Sequence, residues 1–271
     1  MSSAGGTGVV FSLQLTRFFR GARLKIALAV LGVVVLGIAA VFHAKAAGGA
    51  AANTGDSASA LATSLATWTS ATEFAVMSLL VFVLPFMFGT GLIAEEVSGR
   101  TLPFLFVRPV GRARVLLGKY LGAAALTVPL LFLTTAALYV SCLLPAGEGG
   151  GEGAAVMFRT AGAAALLALY YCAVCLFWST VLPAEANVIT AIHFAILEFG
   201  LGKAPGFLRY GSANYLGRIV AGFAPEAGSG EVLPAWAPYG AAGAIAALTA
   251  LVLGLALLAG TSREYRMGDI A

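Results

Sequence analysis

The sequence predicts an all-α polytopic membrane protein, and three observations carry that expectation. Only 10% of the 271 residues are charged while 60% are hydrophobic, where an ordinary soluble chain carries about a quarter charged residues. The mean hydropathy is +0.93. The apolar residues gather into runs of the length that crosses a hydrocarbon core, about 20 residues at 1.5 Å each. So few charges cannot cover a water-facing surface. The isoelectric point near 9.1 does not mark a nucleic-acid partner, because the cations flank the apolar runs instead of forming one patch.

The first element is the lead, residues 1–23. Phe11, Leu15, Phe18 and Phe19 fall at i, i+4, i+7 and i+8, with Arg17 and Arg20 roughly opposite. This is the pattern of an amphipathic helix lying in the membrane interface, with Leu13 off the stripe. Six spans follow, over residues 24–42, 74–93, 115–144, 160–182, 187–201 and 237–260. Pro85 and Pro129 lie inside spans, which lipid-embedded helices tolerate. Arg17, Arg20, Arg23 and Lys25 precede span one; Arg100, Arg108, Arg112, Arg114 and Lys119 lie between spans two and three; Arg263 and Arg266 follow span six. The opposite side holds Lys45, Arg159, Lys203, Arg209 and Arg218. The bias predicts both termini inside. Ala44-Lys45-Ala46 resembles a signal-peptide cleavage site, but the apolar run before it is too long for a signal core and favours a retained span.

The loops are small, and the whole chain reads as a single transmembrane domain. Residues 46–60 are rich in Ala, Gly, Ser and Asn and read as a flexible outer loop. Residues 145–153 read as a Gly-rich turn. The largest outer piece is 202–236. Within it Tyr215, Ile219 and Phe223 recur at helical spacing, which predicts a short helix over 212–223 resting on the outer membrane face. No zinc, hydrolase or phosphate-loop signature occurs: Gly118-Lys119 is followed by Tyr120 and has Ala113 where the first Gly of such a loop belongs. Cys172 and Cys175 have the spacing of a redox or metal pair, but their apolar neighbours favour packing within a helix.

Residues 94–119 form the only long stretch dense in both signs of charge. At its centre, residues 101–107 (Thr-Leu-Pro-Phe-Leu-Phe-Val) are too short to span and too apolar for a free loop. Thr101 can cap a helix, Pro103 fits a first turn, and Arg108-Pro109 ends it. A two-turn helix parallel to the membrane follows. Its Leu102, Phe104, Leu105 and Phe106 need a partner: lipid, this chain or a cytoplasmic protein. Glu95 and Glu96 before it, with Arg112 and Arg114 after it, are placed to form a polar collar.

The combination of Glu95, Glu96, Gly99, Thr101, Leu102, Leu105, Arg108, Pro109, Arg112, Gly118 and Lys119 resembles the loop between spans two and three of ABC-2 type transporter permeases. It is similar in particular to the branch that includes the nitrous-oxide-reductase maturation permease. The resemblance implies the permease subunit of an ATP-binding cassette transporter in a bacterial inner membrane. It implies a second permease subunit and a separate cytoplasmic ATPase that binds ATP and Mg, with no cofactor and no catalytic site in this chain. It makes the helix around Phe104 and Phe106 a coupling helix seated in the ATPase, whose cycle drives export or conformational work. The alternative, on the residues alone, is an ATP-independent secondary carrier or a membrane scaffold subunit of a larger assembly.

Ionisable groups within spans are functional candidates by default. Glu73, His193 and Glu198 are the candidates for a transport path. Glu73 also suits an interfacial position, His193 helix packing, and Glu198 a pair with Lys203 or a reach to the outer face. Gly118 and Gly122 permit close helix approach at the start of span three.

Overall fold

The computed structural model describes residues 5–52, 66, 68–98, 111–142, 151–223 and 233–262. Among them every regular element is helical. In chain order these are α1 (Gly5–Arg20), α2 (Ala22–Ala52), α3 (Trp68–Val97), α4 (Arg112–Cys142), α5 (Glu152–Val181), α6 (Ala186–Gly200), α7 (Ala213–Ala221) and α8 (Ala237–Ser262). A 3-10 turn over Gly206–Gly211 joins α6 to α7. Five helices, α2, α3, α4, α5 and α8, are long and apolar enough to cross a membrane. The fifth of the six expected spans is α6. It is shorter, an eight-residue α segment continued by a seven-residue π segment, Phe194–Gly200.

Several expected boundaries move outward. Residues 46–52, expected as loop, continue α2, because the alanine-rich run has high helix propensity. The second span begins before Phe74, at Trp68. The fourth begins at Glu152, so Arg159 stands on α5 and not in a loop. Gly151, with φ of +53°, makes the sharp entry. In each case hydropathy marks the apolar core of a helix, while hydrogen bonding carries the helix past it into polar sequence.

α5 is the central post. Ala163, Leu167, Tyr171, Cys175 and Leu176 are fully buried, and they pack against Val76, Leu80, Leu84 and Phe88 of α3 and Leu116, Ala123 and Leu131 of α4. Cys175 fills the space above Gly89, where a Cβ would lie 2.6 Å from the Cys175 Cβ. Cys172 donates to Thr127 Oγ1 at 3.8 Å. The two thiols therefore pack helices together, as their setting suggests. α2 and α8 are mostly exposed, with Val33, Leu36, Leu251 and Leu258 outward.

α1 packs on the bundle with only part of its apolar stripe. Phe18 is buried edge-on against Phe88, ring centroids 5.3 Å apart, whereas Phe19 and the off-stripe Leu13 are exposed. Gly118 and Gly122 supply the seat: Cβ atoms there would meet Val10 at 3.0 Å and Gln14 at 2.9 Å. The close approach expected of this glycine pair is thus made, with α1 as its partner.

The short helix α7 forms within the expected 212–223 and packs into the bundle. Six of its nine residues are buried, and Gly217 lies against Leu167 of α5. It is wedged among helices. Amphipathic spacing shows that one face is apolar, but protein and lipid satisfy that face equally well. Ser212 caps α7 by accepting the Tyr215 N–H, and Gly222, at φ +81°, closes it in the left-handed conformation.

Candidate functional site

The charged island expected after the second span begins on a separate short piece of helix. α3 is interrupted at Thr90, whose backbone and side chain both turn back to the Phe86 carbonyl. The last turns, Gly91–Ser98, carry Glu95 and Glu96. The break frees the N–H groups of Ile93 and Ala94, and both donate to Ser179 Oγ of α5, at 2.9 and 3.1 Å. Gly91 leaves the space in which Arg23 meets Glu95; a Cβ there would lie 2.8 Å from Arg23 Nη1.

Two carboxylates on this piece collect three cations from other helices. Glu95 pairs with Arg17 of α1 at 2.8 Å and with Arg23 of α2. Glu96 pairs with Lys119 of α4, and Arg17 approaches it at 3.9 Å. Lys119 also donates to the Leu92 carbonyl. The two pairs differ in weight. Arg17, Arg23 and Glu95 are substantially solvent-accessible, and exposed pairs contribute about 0.2–1 kcal/mol. Lys119 is 1% exposed and Glu96 8%; removing one partner of such a pair costs roughly 3–5 kcal/mol. The Glu96–Lys119 pair is the pin, and the Arg17 and Arg23 contacts are an outer guy.

The candidate coupling residues therefore separate. Glu95, Glu96 and Lys119 come together, with Gly118 beside them facing α1. Lys119 and Gly118 are turned into the bundle, beyond direct reach of a partner in water. Arg112 donates to the Thr261 carbonyl of α8 at 3.4 Å. Gly99, Thr101, Leu102, Phe104, Leu105, Phe106, Arg108 and Pro109 lie outside the described residues. Sequence reasoning counted Arg23 only as topogenic charge, and Arg17 as that and as part of the polar face of the lead helix. The signal available was an acidic pair set among basic flanks, but it does not say which cation folds back onto it.

The candidate path residues divide as well. Glu73 and Glu198 both hold α7. Glu73 pairs with Arg218. Glu198 accepts from Ser212 Oγ and the Asn214 N–H, each at 2.9 Å, so its partner is the N-terminus of α7 and not Lys203. A carboxylate there satisfies end groups and complements the helix dipole. Asn214 in turn donates its side-chain amide to the Met77 carbonyl at 2.6 Å, inside a π segment, Glu73–Leu80, of α3. Asn214 and Ser212 were not anticipated from sequence. His193 stands apart, its ring 6.2 Å from that of Trp178, with Nε2 buried and no hydrogen-bond partner among the described residues.

This geometry gives Glu198 a structural task, and a prediction follows. Hydrogen bonds to a charged group contribute about 1.5–3 kcal/mol, so Glu198→Ala is expected to loosen α7 by roughly that amount. Amide hydrogen exchange over residues 212–221 should rise by one to two orders of magnitude. Exchange in His193→Ala should match wild type. Unchanged exchange in Glu198→Ala would remove the carboxylate from the seating of α7.

A comparison with curated proteins found no match. A family model described as ABC-2 family transporter protein matches residues 16–214. The match runs from the end of α1 into α7, taking in the ion cluster, the short end piece of α3 and the central post, and so covers well over half of the chain. With several helices long and apolar enough to cross a membrane, this chain is a multi-pass membrane protein that belongs to the ABC-2 family of transporter proteins.

Proposed function

We propose that the chain is the permease subunit of an ATP-binding cassette transporter in a bacterial inner membrane. It couples ATP hydrolysis by a separate cytoplasmic ATPase to export or to conformational work. The observation that carries this reading is the pinned end of α3. Residues 91–98 lead directly into 99–110, and they are tied to α1, α2, α4 and α5 through Glu95, Glu96 and the Ser179 hydroxyl. A force applied to 99–110 by a cytoplasmic partner would reach four helices through named bonds. The family membership supports an ATPase partner in general. The resemblance of residues 95–119 to the nitrous-oxide-reductase maturation branch points to that subgroup, and a second permease subunit completes the proposed complex.

In this reading α6 is the sixth crossing. The contacts support it: Arg17, Glu95, Lys119 and Thr261 gather at one end of the bundle, Phe42, Trp68, Tyr139 and Met157 at the other. α6 leaves α5 at the first end and reaches α7 toward the second. Cysteines introduced at positions 100 and 263 should label from the cytoplasm, and those at 53 and 229 from outside. Any one of the four on the wrong side would break the six-span topology. His193, with its unsatisfied nitrogen on α6, is the residue we assign to a transport path; Glu73 and Glu198 would border it.

The test of function is enzymatic. The purified chain should show no ATP hydrolysis of its own, and hydrolysis should appear when the partner ATPase is added, with Mg and ATP bound in that partner. Hydrolysis by this chain alone, surviving a contaminant control, would overturn the assignment. A chain that transports in proteoliposomes without any ATPase would instead be a secondary carrier.

A further inference from the structure

Between α1, α4 and α5 lies an open groove of about 550 Å³ that none of the contacts above uses. Its walls include Gly8 and Phe11 of α1, Leu121, Ala125 and Val128 of α4, and Leu169 of α5. Apart from Thr7, every lining side chain is apolar, so its occupant is hydrocarbon and not a polar solute. The volume falls in the range of small-ligand sites, roughly 300–1,000 Å³. A ten-residue helix of a partner protein, about 10 Å wide and 15 Å long, needs roughly twice that space.

The groove is built into the fold. Gly118 and Gly122 hold α1 against α4, and the Tyr120 hydroxyl donates to the Leu169 carbonyl at 3.3 Å, fixing α4 to α5 beside it. It is open where the bundle meets its surroundings: Leu121 is 40% exposed and Ala125 is exposed. Arg114 is exposed too, and it stands seven residues before Leu121. Seven residues turn an α-helix through nearly two full turns, so both lie on one face, about 10 Å apart along the axis. The nearby carboxylates, Glu95 and Glu96, are already matched by Arg17, Arg23 and Lys119. A cation at one end of an apolar trough has the polarity of a lipid: charge at the headgroup level, hydrocarbon deeper.

We infer that this groove binds one acyl chain of an anionic phospholipid from the adjoining leaflet, with Arg114 holding the phosphate. The site rests on the membrane character of the chain and does not depend on the ATPase reading. Bound there, the lipid bridges the N-terminal helix to α4 and α5, next to the pinned end of α3.

The test uses the full chain in nanodiscs with a photoactivatable diazirine midway along one acyl chain, on phosphatidylglycerol or on phosphatidylcholine. Phosphatidylglycerol should label residues 8–11 and 121–128 several-fold more than phosphatidylcholine does. Ala125→Trp fills the trough from α4. Gly8→Phe fills it from α1, where an added Cβ meets nothing within 4 Å. Either variant should lower labelling to the level of the exposed faces of α2 and α8. Arg114→Gln should abolish the preference for phosphatidylglycerol while leaving labelling of the groove by both lipids. Equal labelling by the two lipids in wild type, labelling indifferent to both plugs, or cross-links from the groove to a second copy of the chain would each overturn the inference.

Discussion

Lys119→Met is expected to destabilise the protein by roughly 3–5 kcal/mol, the largest effect of any single change considered, because it removes the buried cation that faces a buried carboxylate. Glu96 would lose its buried cation and keep the more distant Arg17, and the Leu92 carbonyl would lose its donor as well. The reverse change, Glu96→Leu, strands the ammonium and should cost a similar amount. The double variant Lys119→Met/Glu96→Leu removes both charges and leaves apolar groups of comparable size. It should recover most of the loss, since replacing a buried pair by hydrophobic residues is often neutral or stabilising. The measurement is a double-mutant cycle on denaturation of the purified protein in detergent. Additive losses in the double variant would show that the two side chains do not act as a pair, and the pin on α3 would have to be sought elsewhere.

Phe104→Asp is expected to release the ATPase by more than a factor of ten while the protein still inserts. Phe104 and Phe106 are too apolar to be left in water, and burying an aromatic side chain against a partner contributes about 1.5–3 kcal/mol. An aspartate forfeits that and adds an unpaired charge at the contact; 1.4 kcal/mol already corresponds to tenfold in affinity. The spans should be untouched, because the change lies outside the hydrocarbon. A pull-down of the ATPase at matched membrane expression checks this. Equal recovery by wild type and Phe104→Asp, with transport unchanged, would mean that 101–107 merely rests on lipid. The two experiments separate the expected roles: Lys119 would act from inside the bundle through stability, Phe104 from outside through binding.

Much of the architecture was legible in the chain, for physical reasons. Water excludes long apolar runs from its surface, so hydropathy located the five helices long and apolar enough to cross a membrane. It erred at their ends, as at 46–52 and at Glu152, because a helix continues as long as its backbone bonds form. The candidate site was half legible. The acid pair Glu95-Glu96 announced itself among basic flanks, but Arg17, Arg23 and Lys119 lie 78, 72 and 23 residues away from the members they pair with. Pairing over such separations depends on how helices pack. Lys119 shows the limit most clearly. In sequence it belongs to a cytoplasmic charge island; in the structure it is buried, and its role changes from contact to support.

By itself the sequence determined that the chain is helical, that it crosses a membrane repeatedly, and that its conspicuous polar segment follows the second span. These properties follow from composition and local periodicity, and each residue contributes to them independently of its distant neighbours. Only the tertiary structure decided that α1 packs into the Gly118–Gly122 seat, that Glu198 caps α7 and does not face Lys203, and that α7 is wedged into the bundle. An apolar face or a lone carboxylate accepts several partners of nearly equal energy. Which one it takes is fixed by the packing of helices far apart in the chain, and no local pattern encodes that choice.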